Sequence, residues 1–273
     1  MRESSNPAFR NLPTGRAGYA GFDDRYSGAG YPDQAPAGYD RGQVAERPLT
    51  VDDVVTKTAL TFTVALVAGV LTAMTGQYWL ALPGFVVGLG ISLWIIFKQS
   101  TNPALVLIYS VAEGAALGAL TGWLEHSATN FSGRAGDYAG IGFQAIAATV
   151  GVFVGMLVVY KTGAVKVTPR LTKMIIGAIF GAVGLMLINF LVSFFNGGEG
   201  IGIRSGGPLA IVFSVVVIGI AAFSLLLDFD MADKAIRAGA PARYSWYIAF
   251  GLMTTLVWLY LEILRLLSYM RQN

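Results

Sequence analysis

One pattern limits what this chain can become: from Thr58 onward, apolar runs of about twenty residues, each nearly free of charge, recur with short polar breaks between them. A bilayer's hydrocarbon core is ~30 Å thick and takes about 20 helical residues to cross. The runs fall at 58–76, 79–97, 103–124, 139–160, 174–195, 208–227 and 247–268. A β-barrel would instead show alternating segments of about ten residues, so only the helical class fits. Composition agrees: 55% of the 273 residues are hydrophobic and 13% charged, against roughly a quarter charged in a soluble domain. The expected fold is all-α, a compact polytopic bundle of seven transmembrane helices (residues 49–273) behind an N-terminal tail (residues 1–48).

The breaks between runs are Gln77-Tyr78, Lys98 to Asn102, a loop from Glu125 to Tyr138, a basic loop from Lys161 to Lys173, a glycine-rich loop from Asn196 to Gly207, and Asp228 to Tyr247. On the tail's side the short connections hold Lys98, Lys161, Lys166, Arg170, Lys173, Lys234, Arg237 and Arg243, and on the other side only Arg134 and Arg204. By the positive-inside rule the protein is expected in the cell membrane with its N-terminus cytoplasmic and its C-terminus external. The tail carries charges of both signs among Gly, Pro, Ala and Tyr and lacks the features of a signal peptide, so it reads as disordered and retained. Thr50 followed by Asp52 and Asp53 reads as a helix start. Pro83, five residues into the second run, is expected to kink or loosen that helix. Glycines recur every fourth residue at Gly114, Gly118 and Gly122, at Gly151 and Gly155, and at Gly177 and Gly181. That spacing is read first as close helix packing.

Several functional classes drop out. The chain has no cysteine, so disulfides, thiolate metal sites and cysteine nucleophiles are excluded together. Its net charge of +3 is no argument for nucleic-acid binding, and none is expected. His126 is the only histidine, is read as a solvated loop residue, and cannot build a triad or a multi-histidine metal site. No Gly-Lys-Ser/Thr phosphate loop is present, and no run interior holds the aspartates of an intramembrane protease. Neither an enzyme nor a cofactor is expected.

What remains is a short list of ionisable residues at membrane depth. Glu113, Glu262 and Arg265 lie inside runs, and Asp228 closes the sixth, with Asp230 and Asp233 just beyond. A charge at the bilayer centre costs roughly 2.5–3.5 kcal/mol on insertion scales, so such groups face a cavity, find a partner or stay protonated. Arg265 lies one turn after Glu262 and is placed to neutralise it. Glu113 has no basic residue within a helical turn and must be protonated or hydrogen-bonded across helices. Asp228 at a helix C-terminus would oppose the helix dipole, which suggests a specific use.

The segments that carry these residues resemble those of a known family. Tyr109-Ser-Val-Ala-Glu113-Gly114-Ala-Ala-Leu-Gly118, Leu227-Asp228-Phe-Asp230 and Leu259-Tyr260-Leu261-Glu262-Ile263-Leu264 are, in order and spacing, similar to the Bax inhibitor-1/YccA membrane proteins. The resemblance spans about 55–268 and implies a seven-helix fold with a central last helix. It also implies, as in some members, a pH-sensitive calcium leak whose closed state holds two facing carboxylates. Transferred by motif, that dyad is Asp228 and Glu262, with Glu262 standing where the family pattern has an aspartate. Glu113 and Asp230 are the accompanying ion-pathway candidates, and a calcium ion would be held at Asp228 and Glu262, since hard divalent cations take carboxylate oxygens. The alternative from a different class is a non-transporting regulator that binds other membrane proteins, such as a membrane protease. The expected partners are the lipid bilayer, calcium ions and other membrane proteins.

Overall fold

The computed structural model describes residues 47–132 and 140–272. The tail up to residue 46, with its expected disorder, and Arg134 lie outside the described residues. The helices are α1 (Val51–Thr75), α2 (Ala81–Lys98), α3 (Pro103–Ser132), α4 (Ile141–Thr162), α5 (Pro169–Ser193), α6 (Pro208–Arg237) and α7 (Tyr244–Gln272), with a 3₁₀ turn at Tyr78–Leu80. All seven are long and apolar enough to cross a membrane. Among the described residues the only β pairing is a single bridge between Pro48 and Pro241.

The expected start of α1 is present in full. Thr50 accepts from the Asp53 backbone N–H while the Asp53 carboxylate accepts from Thr50, a capping box. Arg47 closes on the same carboxylate through two contacts of 2.6 and 2.8 Å. Arg47 and Leu49 also exchange backbone hydrogen bonds with the α6–α7 turn, at Ala242 and Ala240.

Three boundaries differ from the sequence expectation, each for a physical reason. Pro83 sits in the first turn of α2, just after the 3₁₀ turn, where its missing N–H has no helical partner to lose. α3 continues through Glu125 and His126 to Ser132, so these two are helical, not loop, residues. Glu125 accepts from the Gly142 N–H at 3.1 Å and caps the first turn of α4, and His126 lies over the Tyr78 ring at 5.7 Å. α6 runs on to Arg237 instead of ending near Asp228, because Asp230–Lys234 (2.5 Å) and Asp233–Arg237 (2.7 Å) are helical i,i+4 pairs that carry it out of the apolar layer.

α7 is the most enclosed of the seven, as expected of a central last helix. Two buried clusters meet on it. On one side Leu252, Leu256 and Leu259 pack with Leu225 and Phe229 of α6 and Ile141 and Ala145 of α4. On the other Phe250, Met253 and Val257 pack with Ile95, Val106 and Tyr109. The glycine stripe of α3 lies against α1: a Cβ on Gly114 or Gly118 would run into the backbone of Ala65 or Gly69. Close packing therefore accounts for that stripe. It does not account for Gly151, Gly155, Gly177 and Gly181, around which a Cβ would meet nothing within 4 Å. α5 packs chiefly on α6 and turns Phe180, Leu187 and Leu191 outward.

Candidate functional site

Because α6 and α7 form an antiparallel hairpin about a short turn, residues at similar distances from that turn face each other. Asp228 lies nine positions before the end of α6, and the residue opposite it is Thr255, whose hydroxyl donates to Asp228 Oδ2 at 2.7 Å. Glu262 lies two helical turns further, about 10 Å along α7 at 1.5 Å per residue. The structure does not bring the expected dyad together. Each carboxylate has its own partners at its own depth. Among the described residues no cluster of three or more Asp, Glu, His or Cys side chains is available for a metal.

Glu262 is 2% exposed and sits between two arginines. Arg265, one turn on, reaches its Oε1 at 2.8 Å, which is the local pair read from the spacing. The second partner was not foreseen: Arg204, from the glycine-rich connection between α5 and α6, contacts Oε1 at 2.9 Å and Oε2 at 3.3 Å. The two-oxygen geometry is the stronger form of an arginine–carboxylate contact. Arg204 also lies over the Phe213 ring at 5.6 Å and donates to Met186 Sδ at 3.1 Å, while its carbonyl accepts from the Tyr269 hydroxyl. One buried carboxylate thus holds two cations at the end of the bundle opposite the start of α1.

The connection that delivers Arg204 folds inward on itself. Asn189 on α5 accepts from the Ile201 N–H at 2.9 Å, Asn196 clasps Gly200 through both N–H and carbonyl, and Ile203 is buried. Gly200 has φ 65° and stands against the Asn189 amide, so a side chain there would be both strained and in collision. Residues that a sequence reading takes for a flexible turn form a seated cover over the end of α7. A signal for Arg204 was present in the sequence, since it is one of only two basic residues in the connections assigned to that side.

The remaining candidates occupy other places. Glu113 is buried between α2 and α3, packed over Gly88, and its Oε2 has no hydrogen-bond partner among the described residues. Of the two states expected of it, protonated or hydrogen-bonded across helices, the second is not formed at that atom. Asp230 pairs with Lys234 at the tail side. Asp233 accepts from the Tyr160 hydroxyl at 3.1 Å as well as from Arg237, which ties α4 to α6.

No curated protein matches the chain. The family described as Bax inhibitor 1 like matches it over residues 6–272, nearly its whole length. With seven apolar helices, a central last helix and buried carboxylates in the motif segments, the chain belongs to the Bax inhibitor 1 like family of multi-pass membrane proteins.

Proposed function

We propose that this protein is a pH-sensitive cation leak, calcium being the ion to test first, with its carboxylates acting at two depths. The observation that carries the reading is Glu262, nearly inaccessible, holding Arg204 and Arg265 beneath a folded cover. Removing one partner from a buried charge cluster is strongly unfavourable, so such an arrangement changes state when its single anion is neutralised. Protonation of Glu262 leaves two arginines beside an uncharged acid. Their mutual repulsion favours withdrawal of Arg204 and its loop, which opens the far end. Asp228, held by the Thr255 hydroxyl, is the acidic group a cation meets next along α7. In this form the leak is closed near neutral pH and opens in acid.

The test is calcium entry into dye-loaded liposomes containing the purified full chain, between pH 8 and 5. Flux is expected to rise as pH falls. Asp228→Asn is expected to lower its amplitude several-fold without moving its midpoint, because Asp228 is outside the arginine cluster. No flux above empty liposomes at any pH removes the reading.

In the cell the cover over Glu262 faces outward in this proposal, following the distribution of basic residues. Reporter fusions at Gln99, Lys166 and Arg237 are expected to read cytoplasmic, and fusions at Arg134 and Gly200 external. A reversed result at any of these positions overturns the orientation.

A second reading, a regulator that binds other membrane proteins, is favoured by the glycine stripes of α4 and α5. Spacing of this kind lets a neighbouring helix approach closely, and among the described residues no helix does so at these glycines.

A further inference from the structure

α1 and α4 both pack on α7 but stand apart from each other, which leaves a crevice floored by α6 and α7. Its tail-side half encloses about 850 Å³. The walls are apolar: Val54, Ala59 and Phe62 from α1, and Val150, Phe153 and Leu157 from α4. A smaller cavity of about 380 Å³ continues toward the far side, and Phe62 and Leu256 line both where they adjoin.

The depth of the larger half is informative. From Val51 at the mouth to Phe62 is about 17 Å of helix, close to half of a ~30 Å hydrocarbon core. The same holds on α4 between Val150 and Lys161. The larger half of the crevice therefore matches one leaflet.

The mouth supplies the second half of the argument. Four basic and two acidic side chains line it. Asp230 is taken by Lys234 and Asp233 by Arg237, so these four cancel. Lys161 and Lys166 are left over, exposed and at the level where α4 leaves the apolar layer. An apolar slot one leaflet deep beneath two uncompensated lysines is complementary to a molecule with a hydrocarbon chain and an anionic head. Basic pockets between transmembrane helices recognise lipid headgroups in this way.

We propose that the crevice between α1 and α4 is a binding site for one anionic phospholipid of the tail-side leaflet. Its phosphate contacts the Lys161 and Lys166 ammonium groups, and an acyl chain lies along Phe153, Leu157 and Phe62. The site is separate from the Glu262 cluster, and the inference stands whether or not the protein conducts ions.

The experiment uses the full chain purified in a mild detergent, with dioleoyl-phosphatidylglycerol or dioleoyl-phosphatidylcholine added, and counts bound lipids by native mass spectrometry. One phosphatidylglycerol is expected to remain bound under conditions that strip phosphatidylcholine. At ~1 kcal/mol per basic residue, the double variant K161Q/K166Q is expected to bind about thirtyfold more weakly. The double variant R170Q/K173Q removes the same charge from the first turns of α5, outside the crevice, and is expected to bind like the parent. Ala59→Trp fills the apolar part and is expected to abolish retention while the lysines stay. Equal loss in both lysine and control variants would reduce the effect to general attraction by a basic loop and overturn the site. Equal binding of the two lipids, or cross-linking that finds a transmembrane segment of another protein seated between α1 and α4, overturns it as well.

Discussion

Glu262→Gln is expected to make the leak insensitive to pH and permanently open, and to cost the folded protein about 3 kcal/mol. The estimate takes the low end of the range for breaking a buried ion pair, because Arg204 and Arg265 keep 19% and 37% of their side-chain surface. The amide preserves shape and removes the anion that holds both arginines, which is the change acid is proposed to make reversibly. Two companions separate charge from bulk. Glu262→Asp keeps the charge one methylene shorter and is expected to retain a pH response, at reduced stability. Arg204→Gln removes the cation that belongs to the cover but leaves Glu262 paired with Arg265, so it is expected to raise flux near neutral pH with a smaller loss of stability. Because the three groups act as a unit, the double variant of Arg204 and Glu262 is expected to be less destabilised than the sum of the singles. The readouts are calcium flux between pH 8 and 5 and thermal unfolding in detergent. A Glu262→Gln protein with the parent's pH profile would end the proposal for this residue.

How far this site was legible in the sequence differs residue by residue. The seven spans and the Glu262–Arg265 pair follow from run length and helical spacing, which are local, and the central seventh helix follows from the family resemblance. The register between α6 and α7 does not. Reading the sixth span as finished at Asp228 follows hydropathy, which stops at the first charges, whereas the helix continues for nine more residues on i,i+4 pairs. Those pairs, Asp230 with Lys234 and Asp233 with Arg237, are themselves visible in the sequence. Given the continued helix, Asp228 must face α7 well before Glu262, and Thr255 is what it meets. The same oversight placed Glu125 and His126 in a loop, although a polar segment at the end of an apolar run is also what a helix leaving the bilayer looks like. Arg204 lies beyond any local rule, because it is 58 positions from Glu262 and the backbone that carries it turns inward on Asn189 and Asn196.

Glycine at four-residue spacing occurs in α3, α4 and α5 among other helices, and the structure gives the same motif opposite consequences. Gly114→Leu is expected to abolish the fold. Its new Cβ would occupy the place of the Ala65 backbone, and α1 cannot retreat without losing its packing on α3 and α7. Overpacking usually costs 1–3 kcal/mol when side chains can shift, but an overlap with backbone has no such relief, so the loss is expected to exceed that range. At Gly155 and Gly181, both exposed, a Cβ would meet nothing within 4 Å, so Gly155→Leu and Gly181→Leu are expected to add apolar surface where lipid is the neighbour. Replacing a helical glycine there is expected to be neutral or to stabilise by up to ~1 kcal/mol. Folded yield and thermal unfolding of the three variants measure this contrast. The two tolerated variants then serve a second purpose, because a leucine in the stripe blocks close approach of any outside helix while leaving the bundle intact. If the protein acts by docking another membrane protein on α4 or α5, these variants keep their fold and their liposome flux but lose the partner in membrane cross-linking. If cross-linked partners are unchanged, the open glycines face lipid alone and the regulator reading loses the observation that favours it.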